Sequence, residues 1–251
     1  MKNKMKEYLG NEYSDNHIKN YCLYWMKAAD GSGDEWRKKN DLDCLYFNGD
    51  LRADTLMSAW TPVKWVADFL NTDKGIKFNK KIETADDPFC DLKLLANEGE
   101  KYLPTDHRLV KLLERFLELA EQRGNYILLP ERDMNPLRYR INIGDKEVML
   151  FDEVPATLSH VFDKDSLGRF FCDEEGRLNE EAVIGWIRRE HLEMGFEDRK
   201  VCKCRVLPLV PGLEPCEPKW FTEEDEIYSA LEYMVNFLKV RQGIFNSRSI
   251  P

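Results

Sequence analysis

Apolar residues recur at three- and four-residue intervals over residues 105–123, the clearest periodic pattern in the chain. That spacing places them on one side of a helix, while charged residues fill the other side. Thr105 stands where an N-cap belongs, and Gly124 where a left-handed residue ends a helix. The sequence therefore predicts an amphipathic helix from Thr105 to Arg123 with one side in the core. The residues of that side are Leu109, Leu113, Phe116 and Ala120.

Shorter patterns of the same kind predict further helices, and brief apolar or alternating runs predict strands. The other predicted helices cover residues 18–29, 54–71, 179–192 and 222–242. The predicted strands cover residues 44–47, 126–129, 138–143, 147–154 and 201–207. Pro62 lies inside the pattern at 54–71 and predicts a kink or two short helices there. Gly144 and Asp145 separate the third and fourth strands, as the turn of a hairpin would.

Long periodic helices outnumber convincing strands, so the predicted fold class is α+β, predominantly helical with a small β-sheet. A chain of 251 residues can form one large domain. We expect a flexible N-terminus at residues 1–17, a single globular domain at 18–242 and a C-terminal tail at 243–251. Residues 72–104 are long and polar, and they predict an excursion over the surface of that domain.

The composition is that of a globular protein and limits its partners. Apolar residues make up 43% of the chain and aromatic residues 12%, enough to build a core. The formal net charge of -9 argues against dedicated nucleic-acid binding, since such proteins must neutralise phosphates. No apolar stretch approaches the roughly 18 residues of a membrane-spanning helix, and the basic N-terminus lacks the apolar region of a secretory signal. We therefore expect a soluble, cytoplasmic protein without membrane contact.

The seven cysteines are more typical of reduced thiols than of disulfides or a metal site. Their number is odd and they are scattered, as suits a reducing compartment. Cys202 and Cys204 are separated by one residue, whereas zinc-binding pairs are usually separated by about two to four. His191 lacks the second histidine of the metalloprotease motif. We expect no metal site.

The residue patterns of a serine nucleophile or a phosphate-binding loop are not recognisable, so no cofactor or reaction is predicted.

The segment LYFNGDLRADT, residues 45–55, carries more charge than a turn requires. An Asn-Gly pair beginning at Asn48 predicts the turn, and Asp54 is suited to cap the next helix. Asp50 and Arg52 are then unexplained. The segment superficially resembles the strand end of haloacid-dehalogenase-like phosphatases, whose two aspartates lie two residues apart. Here Asp50 and Asp54 are four residues apart, too far to reach one phosphorus, so that activity is not predicted.

A second polar cluster, in residues 123–140, surrounds the predicted strand at 126–129. Its members are Arg123, Asn125, Arg132, Asn135, Arg138 and Arg140. Ligand-binding groups commonly converge at strand ends, and the arginine fork matches phosphate or carboxylate. We therefore predict that the two clusters face one cleft that binds a small anionic or phosphorylated ligand. The residues of this predicted cleft are Asn48, Asp50, Arg52, Asp54, Arg132, Asn135 and Arg138. The alternative, the more common outcome for such clusters, is that the charges pair with each other and close the fold.

Three segments together resemble a set of conserved bacterial and phage-associated proteins of unknown function. They are NGDLRADTLMSAWTPVKW, NYILLPERDMNPLR and IGWIRREHLEMGF, and the resemblance spans residues 45–240. It implies a single extended domain and no particular activity.

Two classes of function stay open at this point. The first is a protein that binds a small anionic ligand, with or without catalysis. The second is a non-catalytic protein–protein interaction module, in a phage or host-defence setting if the resemblance holds. A pocket joining the polar clusters would favour the first, and a large exposed apolar patch would favour the second.

Overall fold

The structure is a computed structural model. It describes residues 6–7, 9–15, 19–20, 22–23, 53–57, 61–62, 65–66, 69, 97, 103–104, 106–120, 122–131, 134, 140–143, 146–149, 154–203, 205–215, 221 and 223–248.

Helix dominates these residues, and the strands are short. The α-helices are α1 Arg108–Ala120, α2 Val154–His160, α3 Glu180–Arg189 and α4 Glu224–Arg248. The 3-10 helices are Gly10–Glu12, Arg123–Asn125, Leu167–Phe171, Glu193–Gly195 and Glu197–Arg199. The strands are β1 Ala53–Thr55, β2 Tyr126–Leu128, β3 Arg140–Ile143 and β4 Lys146–Met149. The predicted predominance of helix is confirmed. Within the described residues, no helix is both long and apolar enough to cross a membrane.

The strands form two separate antiparallel pairs. β1 pairs with β2, with Asp54 opposite Ile127. β3 pairs with β4, with Ile143 opposite Lys146, so two residues connect them as the predicted hairpin requires. The pairs are not joined to each other among the described residues, and the single small sheet of the predicted α+β class stays a prediction.

The predicted apolar side of α1 is confirmed, although the helix is shorter than its pattern. Leu109, Leu113, Phe116 and Ala120 are all buried, and Phe116 is fully inaccessible to solvent. His107 precedes the first turn and occupies the capping position. Its carbonyl oxygen accepts from the backbone N–H of Lys111 at 3.1 Å, and its Nδ1 accepts from Leu109 N–H at 3.3 Å.

Gly124 does not end α1 as a left-handed residue. It lies in the 3-10 helix that leads into β2, and it approaches the backbone of α4 closely. A Cβ atom built on Gly124 would stand 2.6 Å from the carbonyl oxygen of Leu238 and 2.9 Å from the backbone nitrogen of Gln242. The side chain of Gln242 accepts the Gly124 N–H at 2.7 Å. Glycine is required here because there is no space for a side chain.

Two predicted boundaries in the strand regions were wrong. Asp54 lies in β1 and therefore does not cap a helix; helical backbone is found further along, at residues 61–62, 65–66 and 69. Val154 belongs to α2 and not to the strand predicted at 147–154. In each case tertiary packing overrides a short local pattern.

The predicted strand at 201–207 is also wrong, and one predicted helix is longer than expected. Phe196 and Val206 form an isolated bridge, but no ladder extends it. The helix predicted at 222–242 runs from Glu224 to Arg248, into the region predicted as a C-terminal tail. The helix predicted at 179–192 is α3, and the side chain of Asn179 caps it by accepting from Ala182 N–H at 3.0 Å.

Contacts divide the chain into two compact units. The first comprises Met1–Cys44, Ala59–Glu121 and Trp220–Val235, and the second Leu45–Ser58, Gln122–Lys219 and Asn236–Pro251. In the first unit, the rings of Trp65 and Phe221 meet edge to face at 5.1 Å. In the second, Phe171 packs against Trp186 at 5.7 Å. The single domain predicted at 18–242 stays a prediction. The predicted strand at 44–47 and nearly all of the surface excursion at 72–104 lie outside the described residues.

Candidate functional site

Most of the predicted cleft lies outside the described residues. This holds for Asn48, Asp50, Arg52, Arg132, Asn135 and Arg138. The backbone of Asp54 is described, within β1. The shared cleft therefore stays a prediction.

The two segments that carry the predicted cleft are nevertheless neighbours in the second unit. β1 and β2 come one from each segment and pair along three residues, from Ala53 opposite Leu128 to Thr55 opposite Tyr126. Beyond β1, the side-chain oxygen of Asn125 accepts from Met57 N–H at 3.0 Å, and its amide donates to the Met57 carbonyl at 3.0 Å. A buried asparagine thus continues the ladder by imitating a backbone group.

A pocket opens elsewhere in the second unit, between the end of α3 and the end of α4. Its volume is about 360 Å³, at the lower end of the roughly 300–1,000 Å³ of small-molecule sites. The segment 188–199 forms one wall and α4 forms the other. The lining residues are Arg188, His191, Glu193, Met194, Arg199, Val240 and Ile244. We call it the 188–199 pocket.

Two arginines of this pocket differ from three basic residues that lie near them in the chain. Arg189, Lys200 and Arg205 each pair with a carboxylate, on Glu190, Asp198 and Glu197 respectively. Arg188 and Arg199 are exposed, and neither forms an ion pair within the described part of the chain. Their guanidinium groups are therefore available to a ligand.

The backbone of the pocket wall adopts a conformation that is rare for residues with side chains. His191, Asp198 and Arg199 have φ angles of 55°, 52° and 56°, in the left-handed region. His191 and Arg199 both line the pocket. Left-handed residues other than glycine cost energy and persist where the surrounding structure holds them, often at functional sites.

A buried arginine of α4 holds the backbone beside His191. Arg241 is fully inaccessible to solvent. Its guanidinium donates to the Glu190 carbonyl twice, at 3.0 and 2.7 Å, to the Tyr126 carbonyl at 3.0 Å, and to the Gly124 carbonyl. Burial lowers the pKa of Arg241 to about 9. Arg123 adds to this decrease and Glu190 opposes it. Since that value is above 7, Arg241 keeps its charge at neutral pH.

The carboxylate of Glu190 connects the same corner to β2. Glu190 is 3% exposed, and its Oε2 accepts from Leu128 N–H at 3.0 Å. Arg123 lies 3.9 Å from that oxygen. Trp186, one turn earlier in α3, donates from Nε1 to the Leu128 carbonyl at 2.7 Å. Both polar groups of Leu128 therefore bind α3 and its C-cap, which fixes the start of the pocket wall.

The ring of Phe245 completes this corner from α4. The Arg123 guanidinium lies 4.2 Å from the ring centroid and that of Arg241 lies 5.4 Å from it. The His191 ring meets it edge to face at 5.3 Å. Cation–π contacts of this kind stabilise a charge without placing an anion beside it.

Sequence patterns gave little warning of this site. An arginine at position 241 continues the buried side of α4 that includes Met234 and Leu238, and an arginine on an apolar side is a signal of a buried charge. The pocket itself has no such signal, because its two walls are far apart in sequence. Within the described residues, no three His, Cys, Asp or Glu side chains could together hold a metal ion.

Comparison of the chain with protein-family models, with curated proteins and with solved structures gave no match. The geometry of the pocket must therefore carry the functional argument.

Proposed function

We propose that the protein binds a small anionic ligand in the 188–199 pocket. The observation that carries the proposal is a pair of exposed arginines on the wall of a small pocket, Arg188 and Arg199. Neither arginine forms an ion pair with another described residue. Arginine suits phosphate or carboxylate because its planar fork donates two parallel hydrogen bonds.

The charges around the pocket support an anion over a cation. Glu193 is the one carboxylate among the lining residues, against the two arginines. The chain as a whole carries a net charge of -9. A local excess of positive charge in the pocket is therefore opposite in sign to the charge of the whole protein. Opposite charge in a concave site raises the local concentration of a matching ligand.

The alternative, a protein–protein interaction module, has less support. In the described part of the chain, Val240 stands out as an exposed large apolar residue, at 40%. It lines the 188–199 pocket, and among the described residues no other large apolar side chain is as exposed. Protein–protein interaction sites are marked by contiguous apolar patches larger than a few hundred Å².

The proposed site differs from the cleft predicted at residues 48–55 and 123–140, although the class of ligand is the same. The two are connected through β2, since Glu190 and Arg241 both bind its backbone. No reaction is proposed, because no nucleophile with an adjacent base lines the pocket.

The test is a titration followed by thermal unfolding, with inorganic phosphate, phenyl phosphate and benzoate at constant ionic strength. A ligand that binds the native state raises the melting temperature. Two matched double variants each remove two positive charges: Arg188→Gln with Arg199→Gln inside the pocket, and Lys200→Gln with Arg205→Gln outside it. The pocket variant should weaken binding at least about tenfold, since charged hydrogen bonds contribute roughly 1.5–3 kcal/mol each.

The control variant should bind as the unmodified protein does. Equal losses in both variants would show that only the general surface charge matters. No rise in melting temperature with any of the three anions would reject the proposal.

A further inference from the structure

One part of the 188–199 pocket is apolar and is not explained by an anion alone. Met194, Val240 and Ile244 make up three of its seven lining residues. Val240 and Ile244 are one turn apart in α4, so they form a continuous apolar strip along that wall.

Val240 is the exposed large apolar residue among the described residues. It is 40% exposed, whereas its helix neighbours Phe237 and Leu238 are at 1% and 0%. Apolar surface in contact with water is unfavourable in proportion to its area. A ligand with an apolar body would remove this surface from water and gain that free energy.

From this arrangement we infer that the ligand is amphipathic: a single anionic head group held by Arg188 and Arg199, carried on a short uncharged apolar body that packs against Met194, Val240 and Ile244. The inference rests on the proposed anion site and adds the chemistry of the rest of the ligand. Short monoalkyl or aryl phosphates and monocarboxylic acids have this chemistry.

The size and charge of the pocket restrict the ligand further. A volume of about 360 Å³ suits a small organic acid or phosphate monoester. A second charge at the far end would be brought against apolar side chains and lose its hydration. Glu193, half-buried in the lining, would also repel a second acid. A monoacid should therefore bind more tightly than a diacid of equal length.

The experiment is a calorimetric titration of the full chain with inorganic phosphate and with methyl, butyl and hexyl phosphate at fixed ionic strength. Affinity should rise with chain length by up to about fourfold for each methylene buried, until the pocket is filled. Hexanoate should bind more tightly than adipate. Comparing hexanoate with hexyl phosphate identifies the preferred acid, and tight binding of either supports the inference.

A variant separates the apolar contribution from the anionic one. Met194→Gln with Val240→Thr keeps the volume of both side chains and adds polar atoms, and both residues are at least partly exposed. It should abolish the dependence on chain length and leave the affinity for inorganic phosphate within about twofold.

The two hypotheses fail differently. If inorganic and hexyl phosphate bind with equal affinity and both depend on Arg188 and Arg199, the anion site stands and the amphipathic ligand is rejected. If 1-hexanol binds as tightly as hexyl phosphate and the arginine variant changes neither, the site is only an apolar pocket and the proposed function is rejected as well.

Discussion

The guanidinium group of Arg241 donates two hydrogen bonds to the main-chain carbonyl oxygen of Glu190, at 3.0 Å from Nε and 2.7 Å from Nη2. These bonds go to the backbone, while the Glu190 carboxylate is directed to the N–H of Leu128. A buried cation is thus satisfied mainly by carbonyl dipoles. The bonds fix the residue before His191, where the chain enters the left-handed region.

Replacing Arg241 with Met should destabilise the second unit strongly. The methionine keeps the apolar part of the side chain, but the carbonyls of Gly124 and Glu190 lose their guanidinium donor. The Tyr126 carbonyl keeps a hydrogen bond from Arg123. The expected loss is about 2–6 kcal/mol, roughly 1–3 kcal/mol for each carbonyl. Urea unfolding measures it. Lys239→Met, at an exposed position of the same helix, is the control and should change stability by less than about 0.5 kcal/mol. Equal effects would contradict the proposed role of Arg241.

Two glycine substitutions should have opposite effects. Gly124→Ala places a Cβ 2.6 Å from the Leu238 carbonyl oxygen, and overpacking of this kind typically costs about 1–3 kcal/mol. Gly185→Ala adds a Cβ with nothing within 4 Å, inside α3. It should stabilise the protein by up to about 1 kcal/mol because alanine favours helix. The melting temperatures of the two variants and of the unmodified protein measure both effects. An unchanged melting temperature for Gly124→Ala would contradict the close contact between Gly124 and α4.

Phe116→Ala should test the core side of α1. The Phe116 side chain is fully inaccessible, and truncating a buried phenylalanine typically costs about 3–5 kcal/mol. Chemical denaturation provides the measurement. Arg115→Ala, at an exposed position of α1 that pairs with nearby Glu118, should cost less than about 1 kcal/mol. A loss below that value for Phe116→Ala would place the apolar side outside the core.

His160 should contribute a loss of stability in acid. Burial lowers the pKa of His160, and Asp163 partly opposes this. The unfolded chain therefore takes up the proton at a higher pH than the folded chain. The stability that neutral His160 contributes is complete above about pH 6.5, and it is lost as the pH falls through the lower pKa of the folded state. The melting temperature of His160→Asn should fall less between pH 7 and pH 5 than that of the unmodified protein. Parallel curves would show that His160 does not titrate differently on folding.

The hairpin and the helices α1 and α3 could be predicted because their signals are local. The apolar spacing from Leu109 to Ala120 requires one buried side, whatever it packs against. The side chain of Asn179 accepts a hydrogen bond from the first turn of α3. A connection of two residues between β3 and β4 is typical of a hairpin turn. The anionic ligand predicted from the arginines stays a proposal, and the 188–199 pocket proposed for it differs from the cleft predicted at residues 48–55 and 123–140.

What only the tertiary structure decided is how residues distant in sequence meet. From the sequence alone, Gly124 looked like the end of α1, and Asp54 looked like a cap. Gly124 is instead required by the close approach of α4, and Asp54 is held in β1 by pairing with β2. The 188–199 pocket exists because Arg241 and Glu190 bind backbone groups of β2 and of the α3 terminus, more than 50 residues away. Apolar periodicity predicts which side of a helix or strand is buried, but not what it packs against, because the hydrophobic effect is non-directional. Hydrogen bonds and close backbone contacts, in contrast, are specific to one geometry.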